Sequence, residues 1–189
     1  PSDLIAYRGT LFTTDADQVE AGGATVVPVD AGGTTPAASI RYRPTTIRPD
    51  DLFDSTGRPF DPDAPIGFGA YVNDLAVASD DVAFALVSAG GSDSDPALSN
   101  LVVFDPLRGT VVQVLDLATT VPSAGLLDSA GAPVPGTAFR QSQAEGVTFV
   151  PTDGAERGRL FVAMANIVFG TPSFGAVKYP GTVQVFDVD

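Results

Sequence analysis

Residues Asn100 to Leu117 read NLVVFDPLRGTVVQVLDL. Two runs rich in β-branched residues flank a short stretch of turn chemistry. The valines and Phe104 suit a pleated, half-buried surface, Pro106 presets φ for the first corner of a turn, and Gly109 accepts the positive φ needed to leave it. The stretch is a hairpin. Asp105 is its first turn residue, with a carboxylate placed to accept hydrogen bonds from the backbone N–H groups just ahead. Similar runs stand near both ends of the chain, TVVPVD closing at Asp30 and TVQVFD closing at Asp187.

Working outward, nearly every apolar cluster is a run of four to seven residues bounded by Gly, Pro, Asp or Ser, and helical periodicity is almost absent. The chain therefore reads as all-β, and three units align along it. Each opens with a polar pair and a short apolar strand: SDLIAY from Ser2, NDLAVA from Asn73, EGVTFV from Glu145. A second strand follows around Phe12, Phe84 and Phe161, and a third closes on Asp30, Asp105 or Asp187. A fourth strand is clear as TVVQVLDL in the second unit, is expected as ASIRYRP in the first, and is missing from the third. The units span residues 2–44, 73–118 and 145–189, with long loops at 45–72 and 119–144. A shared L-x-D-S-x-G-x-P motif at Leu52 and Leu126 marks a turn, with Asp54 and Asp128 capping it and Gly57 and Gly131 supplying positive φ.

Composition narrows the function. Ten basic residues against 23 acidic ones give a net charge of −13, a field that repels phosphate backbones and anionic headgroups, so neither nucleic acid nor a membrane surface is an expected partner. No run approaches the roughly 20 apolar residues of a membrane helix. The absence of Cys and His removes thiol chemistry, disulfides, thiolate or imidazole zinc sites and the Ser-His-Asp triad, leaving carboxylate chemistry. Asp far outnumbers Glu, a bias that goes with 20 Gly and 16 Pro and implies many turns.

Tandem four-stranded antiparallel units are the signature of β-propeller blades. EGVTFVPTDGAERGRLFVAMAN and NLVVFDPLRGTVVQVLDL resemble blades of bacterial extracytoplasmic propeller proteins, a class that includes surface scaffolds and lactonases. The resemblance implies a propeller segment of about three blades, the last without its outer strand, in an extracytoplasmic setting. Propellers close with four to eight blades, so a protein partner or further copies or segments are expected to complete the ring. The units also depart from a compact blade of roughly 40 to 50 residues. The excess lies in long Pro, Gly and Asp loops of the kind that usually carry interactions. The expected role is a scaffold or protein-interaction module rather than an enzyme.

A second reading comes from the polar pairs. Asn73, Asp74 and Glu145 begin inner strands, and loops leading into inner strands of a propeller converge on one mouth of the channel. Hard oxygen ligands there suit Ca²⁺. NDLAVASDDVAFALVS and EGVTFVPTDG are similar to the inner-strand starts of the gluconolactonase and paraoxonase families, six-bladed Ca²⁺-dependent lactonases, though the His pair used by paraoxonases is missing here. That likeness implies metal-ligand positions at Asn73 and Glu145, with Asp74 beside them and Asn166 a further candidate at the end of its unit's second strand. The alternative function is then a Ca²⁺-dependent lactonase or esterase-like hydrolase, with Asp74 or Glu145 as base. The competing reading has these side chains satisfying backbone groups at strand ends. Two acidic clusters, Asp50, Asp51, Asp54, Asp61 and Asp63, then Asp93 and Asp95, read as solvated loops.

Overall fold

The computed structural model describes residues 4–16, 18–30, 41–54, 57–63, 70–89, 98–117, 141–152, 157–167 and 182–188. These residues are all-β and form three antiparallel sheets. Sheet 1 runs β1 (Leu4–Tyr7), β2 (Thr10–Thr14), β3 (Ala24–Asp30) and β4 (Thr45–Ile47) in sequence order. Sheet 2 runs β5 (Tyr71–Val77), β6 (Ala83–Ala89), β7 (Leu98–Asp105) and β8 (Thr110–Asp116). Sheet 3 has β9 (Gln141–Pro151), β10 (Gly158–Ile167) and β11 (Thr182–Val188), with β10 in the middle.

The turns form where local chemistry demands them. The Asp105 carboxylate accepts N–H bonds from Leu107 (2.9 Å) and Arg108 (3.0 Å) and is buried, while Gly109 takes φ of 69°. In the first D-S-x-G-x-P copy, Asp54 accepts the Arg58 N–H at 3.0 Å and Gly57 takes φ of 77°. The second copy, with Asp128 and Gly131, lies outside the described residues.

Strand limits differ from the sequence reading. The fourth strand of sheet 1 is Thr45–Ile47 rather than ASIRYRP, of which residues 38–40 lie outside the described residues. Tertiary contacts hold the remainder of that run. The Arg43 N–H donates to the Pro106 carbonyl at 2.8 Å, and Gly109 sits so close to Pro44 that an added Cβ would stand 2.5 Å from the Pro44 carbonyl. The segment expected as a loop after residue 45 thus opens with a strand, then makes a 3-10 turn at Pro49–Asp51 and an isolated bridge between Phe53 and Pro59. β5 and β9 begin two and four residues ahead of Asn73 and Glu145, which places both polar residues inside strands.

The three sheets stack face to face. Alternation along β6 divides its side chains between two cores, Ala83, Ala85, Val87 and Ala89 facing one way, Phe84 and Leu86 the other. The first core joins them to Phe12, Val26 and Ile47 of sheet 1; the second joins them to Val147, Leu160, Val162 and Met164 of sheet 3. Sheet 2 is therefore covered on both faces, which is why every residue of β6 is buried. Burying one such Leu or Phe contributes roughly 1.5–3 kcal/mol, against at most about 1 kcal/mol for an exposed ion pair, so apolar contact supplies most of the cohesion.

Candidate functional site

The inner-strand residues singled out by sequence sit at corresponding irregularities. In sheet 2, Val72 pairs with Val87 and Asp74 with Leu86, leaving Asn73 as the extra residue of a β-bulge. In sheet 3, Ala163 pairs with Gly146 and Met164 with Ala144, leaving Glu145 as the extra residue there. A bulge frees a side chain from the ladder and re-aims it. Neither residue lies at a strand entrance, so the expected position at a loop mouth is replaced by one within the strand.

Sheet packing sets Asn73 and Asp74 against the segment of β9 that contains Glu145, and both clasp it. The Asn73 amide nitrogen donates to the Ala144 carbonyl at 2.8 Å and to the Ser88 hydroxyl. Because a carbonyl only accepts, the nitrogen of Asn73 must face Ala144. The Ala144 N–H donates in turn to the Ser99 hydroxyl at 3.2 Å. The Asp74 carboxylate accepts the Val147 N–H at 2.6 Å and its neighbour Leu75's N–H at 2.8 Å. Gly146 lies alongside, and a Cβ there would come 3.6 Å from the Asp74 oxygen. Side chains of sheet 2 thus hold both ends of the Ala144–Val147 bulge.

Glu145 is the extra residue of that bulge. The residue is exposed, yet desolvation where its carboxyl meets the sheet raises its pKa above the usual carboxylate value. Asn166 sits in β10 opposite Ser142 in register; its side chain lies outside the described residues. Asp93 and Asp95 lie outside them as well.

As a Ca²⁺ site the cluster fits poorly. Ca²⁺ takes six to eight oxygens. Here Asp74 accepts two backbone donors, and among the described residues no three His, Cys, Asp or Glu side chains approach closely enough to hold an ion. The acidic run after Pro49 is also spent locally: Asp51 accepts the Arg48 N–H at 2.9 Å and Asp61 the Asp63 N–H at 3.0 Å, each closing its own turn.

One node was not singled out by sequence. Asp80, in the β5–β6 hairpin, accepts the Tyr42 hydroxyl at 2.6 Å and pairs with Arg8 at 2.9 Å and Arg41 at 2.7 Å. All three partners come from the sheet 1 side. The hydrogen bond from Tyr42 and the two guanidinium groups hold the Asp80 carboxyl below its usual pKa, while burial and the carboxylate push Tyr42 up to about 12. Arg8 takes φ of 45°, a left-handed conformation uncommon for Arg, in the β1–β2 turn that delivers it to Asp80. Its sequence signal was the Arg8-Gly9 pair between two strands. Its partner lies 72 residues away, beyond any local pattern.

A further clasp uses buried Asn100 of sheet 2, which donates to the carbonyl of Phe53, in the segment that follows β4, at 2.9 Å and accepts the Phe53 N–H at 2.7 Å. These arrangements share one chemistry: polar side chains of sheet 2 satisfy groups of a neighbouring sheet or of the connections beside it. Comparison with protein-family models, curated proteins and solved structures finds no match for this chain.

Proposed function

We propose that the three sheets are consecutive blades of a β-propeller, and that the chain acts as an extracytoplasmic scaffold or protein-interaction module. The observation that carries the reading is the repeated packing order. The face of sheet 1 bearing Phe12 lies on the face of sheet 2 bearing Val102, and the face of sheet 2 bearing the equivalent Phe84 lies on sheet 3. First strands meet first strands, β1 against β5 and β5 against β9, and the fourth strands β4 and β8 also meet. Blades around a shared axis require that order. The extracytoplasmic setting rests on the blade resemblance alone. Interaction is assigned to the long Pro, Gly and Asp connections, which the sheets anchor at both ends.

The hydrolase alternative gains no support from the geometry, because Asp74 is occupied by backbone donors and among the described residues no three His, Cys, Asp or Glu side chains gather to hold an ion. Calorimetric titration with Ca²⁺, together with a panel of lactones, tests the scaffold reading. The expected result is no binding heat and no turnover. Turnover abolished by Glu145→Gln with an unchanged circular dichroism spectrum would replace the scaffold with an enzyme.

A further inference from the structure

We infer that the outward faces of sheets 1 and 3 are the two halves of one interface, and that a second copy of this chain packs on them head to tail to close a ring of six sheets. The inference rests on the propeller reading and adds to it the partner and the residues that meet it.

Equivalent residues make the case. By ladder register, Leu75, Val102 and Phe104 of sheet 2 correspond to Leu4, Val27 and Val29 of sheet 1. In sheet 2 this face is covered by sheet 1, leaving Leu75 and Phe104 2% exposed; in sheet 1 the same face is open, with Leu4 at 65% and Val29 at 42%. At the other end, Leu101 and Val103 of sheet 2 correspond to Val183 and Val185 of sheet 3. Leu101 is 1% exposed beneath sheet 3, whereas Val183 and Val185 are 62% and 51% exposed. Each open face thus repeats the pattern of a face that is buried elsewhere in the chain.

The two open faces are also of opposite kind. One is the face that every following sheet presents backward, the other the face that every preceding sheet presents forward. A face of one kind has been met only by the other kind, twice, in the two cores. The three described sheets carry one of each, so a second copy of them satisfies both at once through a heterologous contact, and rotation by half a turn closes the ring. The apolar residues named carry no charge, and the one ion pair beside them, Arg159 with Asp187 on the sheet 3 face, adds no net charge, so neither face concentrates the −13 of the chain against the other.

Sedimentation equilibrium on the chain at micromolar concentration tests the proposal. The expected mass is twice 19.3 kDa. Val183→Asp with Val185→Asp blocks one face, and Leu4→Asp with Val29→Asp blocks the other. Each variant alone is expected to be monomeric, with an unchanged circular dichroism spectrum because these positions face solvent within the single chain. A milder pair, Val183→Thr with Val185→Thr, keeps strand propensity and weakens association roughly a hundredfold, because the closed dimer contains the contact twice and each methyl lost counts for about 0.8 kcal/mol. Wild-type chain that stays monomeric overturns the proposal, as does an open ladder of larger species or a dimer that either blocked variant still forms with itself. None of these outcomes involves turnover, so the scaffold reading stands or falls separately.

Discussion

At the scale of single residues, side chains between sheets decide where the layers lie. Tyr42 gives this a pH signature. Its folded pKa of about 12 exceeds the ordinary 10.0, so the folded state favours the protonated phenol. The stability this contributes is fully present below pH 10 and is lost as pH rises from about 10 to 12. Asp80 has the opposite sign: its folded pKa is lowered, so its contribution is present above the ordinary 3.8 and disappears as pH falls through the folded value. Ultraviolet titration of tyrosinate is expected to show one late-titrating Tyr, absent in Tyr42→Phe, whose stability falls less between pH 10 and 12 than that of the wild type. The residues that make the turns, Asp105, Gly109, Asp54 and Gly57, were legible because a turn is satisfied within four or five residues. That Asn73 satisfies a backbone group was one of the two readings the sequence offered, but which group was not legible, since it depends on a bulge and on the Ala144 carbonyl of another sheet. Asp80 was invisible for the same reason.

At the scale of elements, alternation of apolar and polar residues located the strands, and register set their limits. The fourth strand of sheet 1 shows what pattern alone misses. Thr45–Ile47 is only three residues long, and it was chosen over the neighbouring ASIRYRP because Ile47 reaches the first core opposite Ala24. Gly158 illustrates a constraint that sequence hides. It opens β10 directly across from Pro151, where a Cβ would strike the Val150 carbonyl and the Phe149 ring. Gly158→Ala must spread the β9–β10 pairing, and overpacking of this kind costs about 1–3 kcal/mol. Chemical denaturation is expected to show that loss as a lower midpoint. Gly22→Ala, whose new Cβ meets nothing within 4 Å, is expected to leave the midpoint close to that of the wild type. Equal effects at the two positions would mean that close backbone approach does not limit the hairpin.

At the scale of the whole molecule, the two cores join the sheets in series, sheet 1 to sheet 2 and sheet 2 to sheet 3. Sheet 2 has both faces covered; sheets 1 and 3 have one each. Stability in such a series is a sum of sheet and interface contributions, so the ends open before the middle. Amide exchange followed by mass spectrometry on the Val183→Asp, Val185→Asp variant, in which the single chain stands alone, is therefore expected to find the slowest sites in β6 and β7. Leu160→Ala provides the sharper test. The side chain is fully buried in the second core, and its removal costs about 2–5 kcal/mol. That loss falls on the interface between sheets 2 and 3, so exchange in β9, β10 and β11 accelerates tenfold or more while β1, β2 and β3 keep their rates. Ile47→Ala, buried in the first core, reverses the pattern and loosens sheet 1 while sparing sheet 3. Uniform acceleration throughout the chain in both variants would show a single cooperative unit instead. The clasps from Asp80 and Asn73 would then transmit strain across sheet 2 rather than merely setting the registry of one layer on the next.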